Sequence, residues 1–125
     1  MEKILLYGLD AERGSAVKKL LQEAGFDDVT LLSPEDAHHK AGYLHGLAGY
    51  EKESFPLKEE VPSAEFMMIS GFDKPAIHRL FEVFKAAGSR RPVTSALTEI
   101  NRDWPLGDII CEVCEEHEQL TGKKA

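Results

Sequence analysis

Apolar positions in this chain follow two rhythms. Two short unbroken runs, Ile4-Leu5-Leu6-Tyr7 and Phe66-Met67-Met68-Ile69, each lead into a Gly-apolar-Asp turn, Gly8-Leu9-Asp10 and Gly71-Phe72-Asp73. Unbroken runs of this length fit strands covered on both faces. After each turn the pattern changes to helical spacing. Ala16, Val17, Leu20, Leu21 and Ala24 form one stripe, and Gly25 closes it. Ile77, Leu80, Phe81 and Phe84 form the other, closed by Ala87-Gly88. These patterns predict helices over about 11–24 and 74–87, capped by Asp10 and Asp73.

Two shorter strands are expected at Val29–Leu32 and at Pro92–Leu97, the latter suited to a sheet edge by its leading proline. Ser33-Pro34 signals a helix start, and 37–47 reads as a weak helix interrupted by Gly42 and Gly46. Residues 49–64, with Pro56 and Pro62, read as a flexible surface loop and a candidate lid. A last helix is expected from Trp104-Pro105, capped by Asp103, with Leu106, Ile110, Val113, His117 and Leu120 on its buried stripe. Residues 121–125 should fray.

From Gly8 to Gly25 the chain aligns without a gap with Gly71 to Gly88, and one inserted residue later Val29-Thr30 aligns with Val93-Thr94. This suggests an internal duplication of 3–33 and 65–98 within one domain. Four strand–helix units favour a small three-layer α/β/α fold with a four-stranded, mainly parallel sheet in the order 2-1-3-4. A ferredoxin-like α+β arrangement, with 34–64 as an insertion, is the alternative.

Composition narrows the function. The 125 residues carry a net charge of −7, which opposes binding to nucleic acid or to an anionic membrane surface. Two cysteines three apart make no disulfide framework, and no apolar run reaches membrane-spanning length, so a cytoplasmic protein is expected.

The phrase Thr98-Glu99-Ile100-Asn101-Arg102-Asp103-Trp104-Pro105-Leu106, following Gly71-Phe72-Asp73, resembles the bacterial domain-of-unknown-function family 3783. The resemblance covers most of the chain, weakly before Ala64. It implies a small bacterial cytoplasmic α/β domain and carries no activity, cofactor or catalytic residue.

In an open parallel sheet the ligand seat lies beyond the strand ends where the order reverses, here between strands one and three. That would gather Gly8, Asp10, Gly71, Asp73, Thr98 and Asn101 on one edge. Two functions compete for it. One is a non-catalytic binding or regulatory module for a protein partner or a small ligand. The other is a small metal- or phosphate-dependent enzyme, or a receiver-like domain, using Asp10 and Asp73. The first is preferred because no nucleophile–base pair or metal set is complete, and no cofactor is assigned. The plain alternative for both aspartates is capping, and Asn101 is expected to bond the strand-four connection internally.

Cys111-Glu112-Val113-Cys114 has redox spacing, but falls in mid-helix, away from the N-terminal dipole that activates such a pair. His38, His39 and His45 read as a polar face, since the i,i+4 histidine spacing of helical metal sites is missing. His78 is expected to be structural, and Trp104 to pack where the last helix meets the sheet. A homodimer through the cysteine-bearing helix or the fourth strand is also open.

Overall fold

The computed structural model describes residues 2–121, with side chains through His117. The position of Leu120 on the last stripe and the fraying of 122–125 lie outside the described residues. Four strands, β1 (Lys3–Tyr7), β2 (Val29–Leu31), β3 (Phe66–Ser70) and β4 (Val93–Ala96), form one sheet in the order β2-β1-β3-β4. Two long helices, α1 (Ala11–Glu23) and α3 (Lys74–Ala87), follow β1 and β3. A one-turn helix α2 (Ala41–Leu44) and the C-terminal helix α4 (Leu106–Thr121) complete the α/β architecture.

The alternation of side chains along the two central strands builds the three layers. Ile4, Leu6, Met67 and Ile69 pack with Val17 and Leu21 of α1 and with Leu80 and Phe84 of α3. Leu5, Phe66 and Met68 meet Ala41 of α2 and Leu106, Ile109 and Ile110 of α4. Each of these fully buried large side chains contributes roughly 1.5–3 kcal/mol against exposure. The buried face of α1 runs through Gly14, Val17 and Leu21, whereas Ala16 is exposed. His78 is exposed as well.

Strand order and layering are as the apolar pattern predicts, and the sheet is mixed. β1–β2 and β3–β4 are parallel, but the central pair β1–β3 is antiparallel, with Lys3 opposite Ser70 and Tyr7 opposite Phe66. The physical reason lies in the 32–65 connection. A parallel crossover needs a helix that carries the chain back along the sheet. Residues 34–47, broken by Gly42 and Gly46, instead form a 3-10 turn (Pro34–His38) and the four-residue α2. Four helical residues span only ~6 Å, against ~17 Å for a five-residue strand. The chain leaves β2 and enters β3 at the same end of the sheet, so β3 runs back. Apolar runs report burial on both faces and say nothing of direction.

The antiparallel pairing relates the two βαβ halves by a local two-fold axis normal to the sheet. Leu5 pairs with Met68, 63 residues later, the same offset that aligns Gly8 with Gly71. The equivalence extends to individual bonds. Leu32 N–H donates to Leu6 O at 2.8 Å, and Leu97 N–H to Ile69 O at 2.8 Å. Phe26 N–H donates to Leu21 O, and Ser89 N–H to Phe84 O, both at 3.0 Å. The ladders make Val29 equivalent to Thr94, so two residues are inserted in the second half, one more than the sequence alignment indicates.

The 49–64 segment has no regular element, but it is tied down. His38 Nδ1 meets Phe55 O and His39 Nδ1 meets Glu53 O, each at 2.9 Å, and Lys58 N–H donates to Asp108 Oδ1 at 3.0 Å. A Cβ on Gly107 would lie 2.6 Å from Leu57 Cδ1, so the helix surface is hollowed to seat that leucine. Asp103, expected to cap α4, instead accepts from the Tyr50 hydroxyl.

Candidate functional site

Because β1 and β3 are antiparallel, the six residues expected on one edge separate. Gly8 and Asp10 lie at one end of the sheet, with the starts of β3 and β4; Gly71, Asp73, Thr98 and Asn101 lie at the other. The two carboxylates are a strand length apart and cannot act on one ligand.

Each is engaged as a cap. Asp10 Oδ1 accepts from Arg13 N–H at 2.7 Å, and Asp73 Oδ1 from Ala76 N–H at 2.9 Å. Asp10→Ala and Asp73→Ala should each cost ~1 kcal/mol in urea unfolding, while Asp10→Ser should lose only a few tenths. A serine variant as damaged as the alanine one would rule out simple capping at Asp10.

Thr98 and Asn101 satisfy each other. Thr98 N–H donates to Asn101 Oδ1 at 2.8 Å, and Asn101 N–H to Thr98 Oγ1 at 3.0 Å. Asn101 Nδ2 also donates to Ala96 O at 3.0 Å, which occupies a carbonyl of edge strand β4. Asn101 thus bonds the strand-four connection internally, as its position suggests. Trp104 is half-buried against the α4 face of the core.

The two-fold relation makes the sheet ends comparable position by position. At the Gly71 end the seam is plugged: Phe26 and Phe72 stack with centroids 5.6 Å apart, and Arg79 lies over the Phe26 ring at 4.9 Å. Their equivalents at the Gly8 end are Ser89 and Leu9. There the seam is polar. The Arg13 guanidinium reaches Glu65 (Nε to Oε2, 3.2 Å; Nη2 to Oε1, 3.3 Å), Ser89 Oγ at 2.9 Å and the Arg90 carbonyl. With Arg13 and Glu65 both largely shielded, this pairing fixes the start of β3 against the α3–β4 turn.

Beside that pair opens a cleft of about 600 Å³. Its floor is Gly8 with Ala64 and Glu65; one wall is Arg90 to Thr94, the other Val113, Glu116 and His117 of α4. Gly8 has φ +82°, and a Cβ there would stand 2.2 Å from Ala64 O, so only glycine lets the end of β1 approach the strand beside it. The sequence marks Gly8 but not the cleft, because Glu65, Arg90 and Arg91 belong to no motif and meet it only through the antiparallel pairing.

The other candidate chemistry disperses. The Cys111 thiol contacts Glu60 O at 3.5 Å, and burial, then Glu59 and Asp108, push its pKa up, opposite to what a reactive thiol needs. Cys114 is buried in the core. Among the described residues no group of three His, Cys, Asp or Glu side chains could hold a metal ion. The three histidines form no common face: His38 and His39 bond the 49–64 segment, and His45 is buried. No described helix is long and apolar enough to cross a membrane.

The fold and the cleft define a small three-layer α/β protein with a mixed four-stranded sheet and a cleft at the Gly8 end of that sheet. Residues 65–120, from the cleft floor through most of α4, match DUF3783, a domain of unknown function. The match contains the Thr98–Leu106 phrase and begins where the second half begins. Comparison with curated proteins gives no match. Comparison with solved structures gives none either.

Proposed function

We propose that this protein is a non-catalytic binding module whose ligand seat is the cleft at the Gly8 end of the sheet. The observation that carries this is the contrast between equivalent ends. An aromatic stack fills the seam at one, while the other carries a polar, shielded ion pair with a 600 Å³ cleft beside it. The volume lies in the range of small-molecule sites. A catalytic reading loses its premise, since Asp10 and Asp73 lie apart and each caps a helix. The same reading takes the halves as copies of one βαβ unit, one of which has kept a cleft at its end.

Screening a small-molecule fragment set against ¹⁵N-labelled protein tests this. Binders should move the amides of Gly8, Ser63 and Thr94, and Val113→Trp, which narrows the cleft, should abolish the shifts while the spectrum stays dispersed. Binders that map to the Gly71 end, or persist in Val113→Trp, would overturn the proposal.

A further inference from the structure

We infer that the cleft takes a small organic anion, a carboxylate or phosphate monoester carried on an apolar body; this rests on the cleft being the ligand seat. The argument starts from which charges are already spent. Glu65 is neutralised from inside the protein by Arg13, whose guanidinium gives it three contacts between 3.2 and 3.4 Å and places its remaining donors on Ser89 and the Arg90 carbonyl. Glu65 therefore needs no second cation. Arg90 nevertheless stands beside it, touching Oε1 with one nitrogen at 3.3 Å and with 81% of its side chain exposed. A single-nitrogen contact of that exposure holds a guanidinium weakly, so the Arg90 charge is available to a ligand.

Arg91 is a second available cation, with its position set. Its guanidinium carbon lies 3.8 Å from the Phe81 ring centroid. Stacking covers a guanidinium face and leaves its in-plane N–H donors for a planar or tetrahedral oxyanion. The backbone between the two arginines and β4 is fixed: Pro92 is buried, and Val93 N–H donates to Glu65 O at 3.0 Å. With Glu65 already paired to Arg13 behind the lining, the charged Arg and Glu side chains left in the cleft wall are Arg90, Arg91 and Glu116, a local excess of positive charge in a chain of net charge −7. The opposite wall supplies Val113, and Pro92 and Val93 continue the apolar lining. A bare inorganic ion would leave that surface unused; an anionic head on an apolar body uses both.

Phenyl phosphate and benzoate, with benzyl alcohol and benzylamine as neutral and cationic counterparts, are the probes, titrated into ¹⁵N-labelled full-length protein. Both anions should saturate the shifts of Gly8 and Thr94, at least tenfold more tightly than the alcohol or the amine, and their ratio separates phosphate from carboxylate preference. Arg90→Gln should weaken the anions about tenfold, the loss of one charge-assisted contact, without changing the melting temperature. Arg91→Gln should do the same, and Arg102→Gln, at the other sheet end, should not. Alcohol or amine binding in the cleft as tightly as the anions would overturn the anion assignment and leave the cleft standing. Saturable shifts for none of the four, or only at the Gly71 end, would remove both.

Discussion

Gly8→Ala should destabilise the protein by about 3 kcal/mol, lowering its melting temperature by roughly 10 °C. Two costs add. A non-glycine residue at φ +82° carries roughly 1–2 kcal/mol of local strain. The new Cβ would also sit 2.2 Å from Ala64 O and 3.2 Å from Ala64 C, both backbone atoms. Neither side can yield cheaply. β1 is held on both edges, by β2 and β3, and Ala64 is buried and leads directly into β3. Relieving the overlap means moving one central strand against the other, with an overpacking cost of roughly 1–3 kcal/mol. Gly25→Ala separates the two costs. Gly25 has φ +99°, but its Cβ would meet nothing within 4 Å, so it should lose only the conformational part. Equal losses in the two variants, measured by urea unfolding, would show that the approach of β1 to Ala64 carries no energy.

The Gly8 contact also shows what the sequence made legible. The two apolar runs, the Gly-x-Asp turns, both long helices and the strand order follow from local periodicity and from the rule that a buried strand must be covered on both faces. Direction is not local. It depended on whether 32–65 could return the chain along the sheet, and glycines at 42 and 46 made that segment too short in helix to do so. One reversed strand moved Gly71, Asp73, Thr98 and Asn101 to the far end and brought Glu65, Arg90 and Arg91 to Gly8. Thr98 and Asn101 were marked by a conspicuous spacing, but that spacing closes a turn. The cleft residues had no spacing to mark them, because their meeting is tertiary.

His45 hides in the same way, and it should make stability depend on pH. Its neighbours in sequence suggest a wet polar face, yet the residue is only 7% exposed and neither ring nitrogen has a hydrogen-bond partner among the described residues. Burial is the main cause that lowers its pKa to about 4; the Lys3 charge adds to the shift, and Asp28 partly opposes it. In the unfolded chain the ring titrates near its ordinary 6.5. Between these values the unfolded state binds the proton and the folded state does not. Stability is therefore unaffected above about pH 6.5, falls as pH drops through the window, and levels off below about 4, where both states are charged. The full fall is about 3 kcal/mol, a large fraction of what a domain of this size has to lose. Carboxylates titrate in the lower part of the same window, so the wild-type slope alone does not isolate the ring. His45→Leu does. It removes the titration and two buried unsatisfied nitrogens, and should match or exceed the wild type at neutral pH. Urea unfolding of both proteins from about pH 7.5 to about pH 4.5 should show the variant's advantage growing as pH falls. An advantage that stays constant across the window would mean that the His45 ring takes up its proton in the folded protein as readily as in the unfolded chain.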